Sequence, residues 1–465
     1  VELEYALADT HVHFEHDDFA ADVDAAVARA KQAGVAYFVV PACDAADAAR
    51  ALALARRLDG VYFAAGLHPN GGKRWGADEE AGIRRALLAG KKKGWAVAVG
   101  ECGLDYHYMA LPREAQLELV RRHLALAREL ELPVILHQRD AEEDLRRALD
   151  EEGAPPRGGV LHCFGGSADY YEWACAAGLY VSFTGNLTFT KKGCGRPAYF
   201  ERLDLATTML ETDAPYLAPA PFRGKRNEPA YLPYIARALA AAAGRREDDI
   251  FAETTLAARR FFGLAADFGG ALVYRLGKSL YVNITNRCTN DCSFCIRNSA
   301  PGVGGYDLRL KMEPTAAEVV AAIGDARAYD EVVFCGFGEP TSRWEAVKEV
   351  AAAVKAAGGR VRLNTNGSAE LTQRRDVTPE LAGLFDRVSV SLNAADAVGY
   401  NELCRPRAGA AAWSALARFV AGAKRYAPAV EVTAVATAAA DIAAIEGRAR
   451  AWGVPLRVRR AAAGQ

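Results

Sequence analysis

Residues 1–265 predict an α/β fold closed as a (β/α)8 barrel, residues 278–465 predict a smaller, partial (β/α)6-type barrel, and 266–277 read as the linker. Three observations carry this. Short runs rich in β-branched residues alternate with amphipathic helical segments along the chain. About eight such units fill the first half, the count of a (β/α)8 barrel. The alternation breaks once, at the glycine-bearing stretch "GLAADFGGALVYRLGKS", and then resumes for about six units. A doubly wound open sheet shares this alternation and is the alternative for the first half, as an open α/β sheet is for the second.

The first-half strands read, in order, as "YALADTHVH", "VAYFVVPA", "VYFAAG", "WAVAVGE", "PVILH", "GVLHCF", "LYVSFTG" and "TTMLETD". The helix after the first, "FAADVDAAVARAKQAG", places Phe19, Val23, Val27 and Ala30 on one face. The second-half strands read as "LYVNIT", "EVVFCGF", "RVRLNTNG", "RVSVSLN", "EVTAVAT" and "LRVRR", with helices between.

Net charge is -1 and pI about 6.8, which excludes a global basic field that would gather long nucleic acid by charge alone. No apolar run is long enough to span a bilayer, and "VELEYALADTHVHF" lacks a basic start followed by an apolar core, so no membrane partner and a cytoplasmic location are expected. In that compartment the cysteines read as metal ligands or small buried residues rather than disulfides. The two chemistry-bearing residue types are segregated. All eight histidines lie between His11 and His162, whereas the close cysteine cluster lies beyond residue 280.

His11 and His13, two apart at the end of the first strand, point to one side. Glu101 falls at the end of the fourth strand, His137 of the fifth, His162 of the sixth and Asp213 of the eighth. In a parallel barrel these ends share the face where active sites form. A His, Glu and Asp donor set without thiolates suits Zn, Mn or Mg. Six donors exceed one open zinc site and fit two metals about 3.5–4 Å apart that activate water. Past the eighth strand, "PFRGKRNEP" supplies Arg223, Lys225 and Arg226, suited to positioning a phosphate. "KKKG" at 91–94 reads as a solvated face. Of the other histidines, His123 reads as a helix surface residue, His107 as a loop residue near substrate, and His16 matches no ligand position.

The ordered motifs "DTHVHF", "GLHPN", "GECGLDYHY", "LPREAQ", "ILHQRDA", "HCFGG", "GNLTF" and "ETDAPYLAP" resemble the TatD family of metal-dependent hydrolases over residues 5–263. The resemblance implies a TIM barrel and two divalent metals, with His11, His13 and Asp213 at one, His137 and His162 at the other, and Glu101 between. It further implies that Asp213 accepts the proton of attacking water and that His68 approaches the leaving side of a phosphoester or nucleic-acid-derived substrate. Ala257 and Ala258 depart from the family, which carries Asn in that closing helix.

The stretch "TNRCTNDCSFCIRN" holds Cys288, Cys292 and Cys295 in C-x3-C-x2-C spacing. Three thiolates are one short of structural zinc, and a cubane cluster held by three leaves one iron free for a small molecule. With Phe294 before the last Cys, the motif resembles the radical SAM superfamily. That implies a [4Fe-4S] cluster, S-adenosyl-L-methionine and a flavodoxin- or ferredoxin-like electron donor. "CGFGEPT" resembles the segment holding the methionyl amino group, through Gly336, Gly338 and Glu339. Asn366, Ser391 and Asn393, at later strand ends, are expected at ribose or carboxylate. Cys335 and Cys404 read as buried or inert, and Arg405 and Arg407 as either anion contacts or surface residues. "SLNAADAVGYNELCRPR" narrows the likeness to the radical SAM protein associated with TatD hydrolases. A bifunctional enzyme is therefore expected. The alternatives are that one half only presents substrate, or that the chain is a zinc-stabilised interaction protein.

Overall fold

Eight short strands of the first unit pair side by side in chain order: β1 (Leu7–Asp9), β2 (Val35–Ala42), β3 (Val61–Ala65), β4 (Ala96–Asp105), β5 (Val134–Arg139), β6 (Gly159–Leu161), β7 (Tyr180–Phe183) and β8 (Thr208–Leu210). Every neighbouring pair is parallel. The ends then join. Thr10 donates to the Leu210 carbonyl at 3.1 Å, Asp213 to His11 at 2.9 Å and His13 to Ala214 at 2.8 Å. This closure selects the barrel over the open sheet. The structure, a computed structural model, describes residues 5–71, 75–153, 155–189 and 197–460. The chain divides into two compact units, 1–266 and 267–465.

The strands are buried on both faces, as a parallel sheet ringed by helices requires. Between them the helices are locally specified. Asp44 caps the helix Ala45–Arg57 by accepting from Ala46 N and Asp47 N, both at 2.8 Å, a contact worth about 1 kcal/mol. The closing helix Glu247–Phe262 begins with three acids, ends with Arg259 and Arg260, and stops at Gly263 in the left-handed region. Ala257 and Ala258 are buried in it, so the departure there is a packing position.

In the second unit the sheet order is β17-β16-β15-β14-β13-β10-β9, built from β9 (Val273–Leu276), β10 (Ser279–Val282), β13 (Val332–Phe334), β14 (Val361–Thr365), β15 (Arg387–Ser391), β16 (Val430–Ala436) and β17 (Leu456–Arg460). A separate hairpin pairs β11 (Gly302–Val303) with β12 (Tyr306–Asp307). Six strands from β10 to β17 are parallel, giving a partial barrel, and β9 adds an antiparallel edge. That edge corrects the reading of 266–277 as a linker. Val273–Leu276 is a strand, and Ala271 donates to the Asp307 carbonyl at 2.7 Å. The core behind the parallel strands holds Trp344, Phe334, Phe385 and Tyr400.

Candidate active sites

Val12 is fully buried and bridges to Ala214, so the alternation of an extended chain turns both His11 and His13 into the mouth of the first barrel. Glu101 lies within β4 rather than at its end, and its carboxylate is the centre of the site. Its Oε1 is 2.8 Å from His162 Nε2, 3.0 Å from His137 Nδ1 and 3.2 Å from His68 Nε2, while Oε2 is 3.2 Å from His11 Nε2. Asp213 Oδ1 lies 3.6 Å from His13 Nε2 and 3.8 Å from His11 Nε2. Asp213 is held at φ 54°, a strained conformation for a non-glycine residue, which places its carboxylate among the imidazoles.

Three donor trios lie within 4.8 Å: His11, His162 and Asp213; His11, His13 and Glu101; His68, Glu101 and His137. The six expected His, Glu and Asp donors meet here. His68, expected on the leaving side, instead stands among the donors. Among the described residues His11 has no well-formed hydrogen bond at either buried ring nitrogen, its Nε2 only approaching Glu101 Oε2 at 3.2 Å, which leaves that nitrogen open to a metal. The donor set therefore fits divalent metal.

Charge within the cluster balances. Burial favours the neutral carboxyl of Glu101, yet His162, His68 and His11 outweigh it and hold its pKa well below the usual range. Burial lifts Asp213, and His13 and His11 bring it below the ordinary value. Burial pulls His13 down, and Glu15 and Asp213 raise it well above normal. Burial likewise opposes His162, which Glu101 and Glu211 lift well above normal.

Behind the donors stands a second set of carboxylates that the sequence reading missed. Glu15 Oε1 is 2.8 Å from His13 Nδ1 and Asp105 Oδ2 is 3.1 Å from His137 Nε2, while Glu211 Oε1 comes only to 3.5 Å of His162 Nδ1 without hydrogen-bond geometry. Such partners fix the tautomer and orientation of a ligating imidazole. The available signal was even spacing: Glu15 follows His13 by two, and Glu211 precedes Asp213 by two.

A cleft of about 1360 Å³ opens over the cluster. Its lining includes Arg50, Arg113, Arg139, Tyr108 and Tyr216, and His16 also faces it. The basic loop is corrected: Arg223, Lys225 and Arg226 do not line this cleft. Arg226 instead binds both oxygens of Asp22 at 2.7 and 2.9 Å and covers the Phe19 ring, while Arg223 lies over Phe189. His123 is not a surface residue either. It is fully buried, and its Nε2 accepts from Leu67 N at 2.8 Å. His107 pairs with Asp140 at 3.3 Å.

In the second unit the cysteine loop leaves β10 on a buried ionic root. Glu313 takes Arg287 at 2.8 and 2.9 Å, Arg343 at 2.9 Å and the Thr285 hydroxyl at 2.5 Å. Gly336 and Gly338 press onto this root. A Cβ on Gly336 would fall 2.2 Å from Asn283 Oδ1, and one on Gly338 2.3 Å from the Arg287 carbonyl. Their close approach is to the chain itself. Cys288, Cys292 and Cys295 follow, half-buried and free of disulfides. The outer limb pairs with 403–407: Asp291 donates to the Cys404 carbonyl at 3.1 Å, Ser293 to Leu403 at 3.0 Å, and Arg407 to Thr289 at 3.0 Å. Cys404 is buried with its thiol against Cys292, whereas Arg405 and Arg407 are exposed. Three cysteines without disulfides on one anchored loop supply the thiolate donor set that a cluster takes.

The remaining expected contacts are partly committed to the fold. Glu339 accepts from Thr341 N, from the hydroxyls of Thr341 and Thr365 at 2.7 Å each, and from Asn366 N at 2.7 Å. Asn366 Nδ2 donates to Thr289 Oγ1 at 2.7 Å, tying the end of β14 to the cysteine loop. Ser391 ends β15 half-buried, and Asn393 Oδ1 accepts from Val435 N at 3.1 Å.

The TatD related DNase family matches residues 8–263, and the radical SAM superfamily matches residues 282–425. The uncharacterized metal-dependent hydrolase YabD of Bacillus subtilis is 38% identical over 257 residues, covering 55% of this chain and 98% of that protein. The 3'-5' ssDNA/RNA exonuclease TatD of Erwinia amylovora is 35% identical over 263 residues, covering 56% and 100%. Among solved structures, the TatD homolog YJJV of Escherichia coli has 32% identity and a TM-score of 0.52, covering 57% of this chain and 100% of that one. No described helix is long and apolar enough to cross a membrane. The chain belongs to the TatD-related DNase family and carries a radical SAM domain in its second unit.

Proposed function

We propose that this is a bifunctional enzyme: its first unit hydrolyses phosphodiester bonds at nucleic-acid ends with two divalent metals (Zn, Mn or Mg), and its second modifies a substrate by radical chemistry. The observation that carries the first half is Glu101, with one carboxylate oxygen facing three imidazoles and the other facing His11. When bound, two metals supply Lewis acidity to the phosphoryl oxygen and an activated water. His11, His13 and Asp213 would hold one and His137 and His162 the other, with Glu101 available to both. Asp213 would accept the proton of the attacking water, the role the family resemblance gives it; its Oδ1 stands at the cleft, 3.6 Å from His13 Nε2 and 3.8 Å from His11 Nε2. His68, 3.2 Å from Glu101 Oε1, would stand with His137 as a further donor beside the second metal. Glu15 and Asp105 hold the imidazoles of His13 and His137 in the tautomers that ligation needs, and Glu211 sets a negative charge beside His162. The name of the Erwinia relative supports a single-stranded substrate degraded from its 3′ end.

In the second unit Cys288, Cys292 and Cys295 would hold a [4Fe-4S] cluster. With S-adenosyl-L-methionine bound, it supplies one-electron reductive cleavage of a C–S bond and hydrogen abstraction. Glu313 with its two arginines fixes the root of the loop, and Gly336 and Gly338 let the neighbouring strand end close against it. Asn366, Ser391 and Asn393 lie at strand ends where the nucleoside docks, and a flavodoxin- or ferredoxin-like donor provides the electron.

The test is a pair of assays on anaerobically reconstituted protein. Expected are metal-dependent shortening of a 5′-labelled single-stranded oligonucleotide, lost at least a thousandfold in Asp213→Asn, and release of 5′-deoxyadenosine on reduction. Asp213→Asn at wild-type rate overturns the hydrolytic mechanism. Absence of thiolate–iron absorbance after reconstitution overturns the radical one.

A further inference from the structure

Two of the exposed large apolar side chains of the first unit line the cleft: Tyr108, 62% exposed, and Tyr216, 51% exposed. Rings this exposed contribute little to the core. They follow β4 and β8, which in a closed ring of eight ordered strands stand opposite one another across the mouth. Tyr216 sits on the His13 side, its ring 6.1 Å from that of His13 and 5.7 Å from that of His16. Tyr108 sits on the His137 side, where its backbone N–H donates to Asp105 Oδ1 at 2.9 Å. The exposed Arg139 guanidinium lies over one face of the Tyr108 ring, 4.9 Å from its centroid, and also lines the cleft.

An aromatic ring offered to solvent on each side of a phosphodiester-cleaving centre has an obvious chemical complement. Every nucleobase presents a π-face, and base–aromatic stacking is tolerant of sequence. Bases in a duplex already stack on each other, whereas an unpaired end has faces free. Stacking also accounts for how a chain of net charge -1, with Asp17, Asp47 and Glu143 in the cleft lining, can hold a polyanion without a broad basic field.

We propose that Tyr108 and Tyr216 are base-stacking platforms for the two nucleosides flanking the scissile phosphodiester, with Arg139 meeting the phosphate on the Tyr108 side. This rests on the nuclease reading above. The platforms make the cleft select unpaired ends through base faces rather than charge.

The experiment uses the full chain and single-stranded oligonucleotides in which one nucleotide, on either side of the scissile bond, is replaced by an abasic tetrahydrofuran. The readout is the ratio of kcat/KM for base-bearing over abasic substrate. Wild type is expected to favour the base on the order of tenfold at both positions. Tyr108→Ala abolishes the preference on one side and Tyr216→Ala on the other, while Tyr→Phe at either position keeps it. Both residues are exposed, and a thermal transition matching wild type confirms folding. If each Ala variant keeps the wild-type ratio at both positions, the platforms are overturned. If wild type cleaves both substrates equally, stacking is overturned while the nuclease reading stands. If wild type cleaves no oligonucleotide with Zn, Mn or Mg, the nuclease reading itself falls.

Discussion

Asp105→Asn tests whether the carboxylates behind the histidines serve the metals. Asp105 is rigidly placed: its N–H donates to Gln116 Oε1 at 2.7 Å, and its Oδ1 accepts from the N–H groups of His107 and Tyr108, both at 2.9 Å. Its Oδ2 accepts from Asn70 Nδ2 at 2.8 Å and faces His137 Nε2 at 3.1 Å. His137 Nδ1 points at Glu101, so ligation needs that nitrogen bare and the proton on Nε2. In the Asn variant the two backbone donors keep the amide oxygen in the Oδ1 position, which puts the NH2 group against His137 Nε2. Two donors then oppose each other, and the ring relieves this by moving its proton to Nδ1, the wrong tautomer for a ligand. Losing such a partner typically costs 10- to 100-fold in metal affinity or activity, or about 1.4–2.7 kcal/mol. The assay is oligonucleotide cleavage titrated with Mn. The half-saturating concentration is expected to rise 10- to 100-fold, with activity partly recovered at excess metal. A titration superimposable on wild type refutes the reasoning.

Other expectations follow from separate parts of the molecule. Burial holds His123 down to about 4, below the 6.5 of an ordinary imidazole. Its neutral form therefore favours the fold above pH 6.5, and stability is lost as pH falls from there toward 4, by roughly 3 kcal/mol in all. In urea denaturation the gap between wild type and His123→Gln should narrow by about that much between pH 7 and pH 4, and an unchanged gap removes the argument. Gly338→Ala forces a Cβ onto the Arg287 and Thr285 carbonyls, at 2.3 and 2.7 Å. It is expected to cost about 1–3 kcal/mol and to lower the iron bound on reconstitution, measured by elemental analysis. Arg226→Ala is expected to cost about 1 kcal/mol through lost pairing with Asp22, with KM for the oligonucleotide changed less than twofold. A tenfold rise in KM would restore the basic loop to the substrate.

Patterns that repeat were legible in the sequence. The eight units, the ligands near strand ends and the three-cysteine loop all follow from period and spacing, since parallel strands carry their ends to one face. What stayed hidden depends on partners far along the chain. His123 reads as surface on an amphipathic helix, because nothing local announces that Leu67 N needs an acceptor there. Arg226 follows Asp213 closely in sequence, yet Gly224, at φ 83°, lies in the intervening turn and the guanidinium ends on Asp22. Glu15, Asp105 and Glu211 look like ordinary polar residues until the histidines they face are in place. The antiparallel β9 was hidden by the glycines on either side of it, which read as a break although Gly277 forms the turn that pairs β9 with β10.

The central claim is that one chain holds two separate metal chemistries, each on its own unit. Anomalous scattering from crystals grown anaerobically with Mn tests it most directly. The account predicts two divalent ions bridged by Glu101 and four irons enclosed by Cys288, Cys292 and Cys295. A single ion not touching Glu101, or zinc in place of iron at the cysteines, would contradict it.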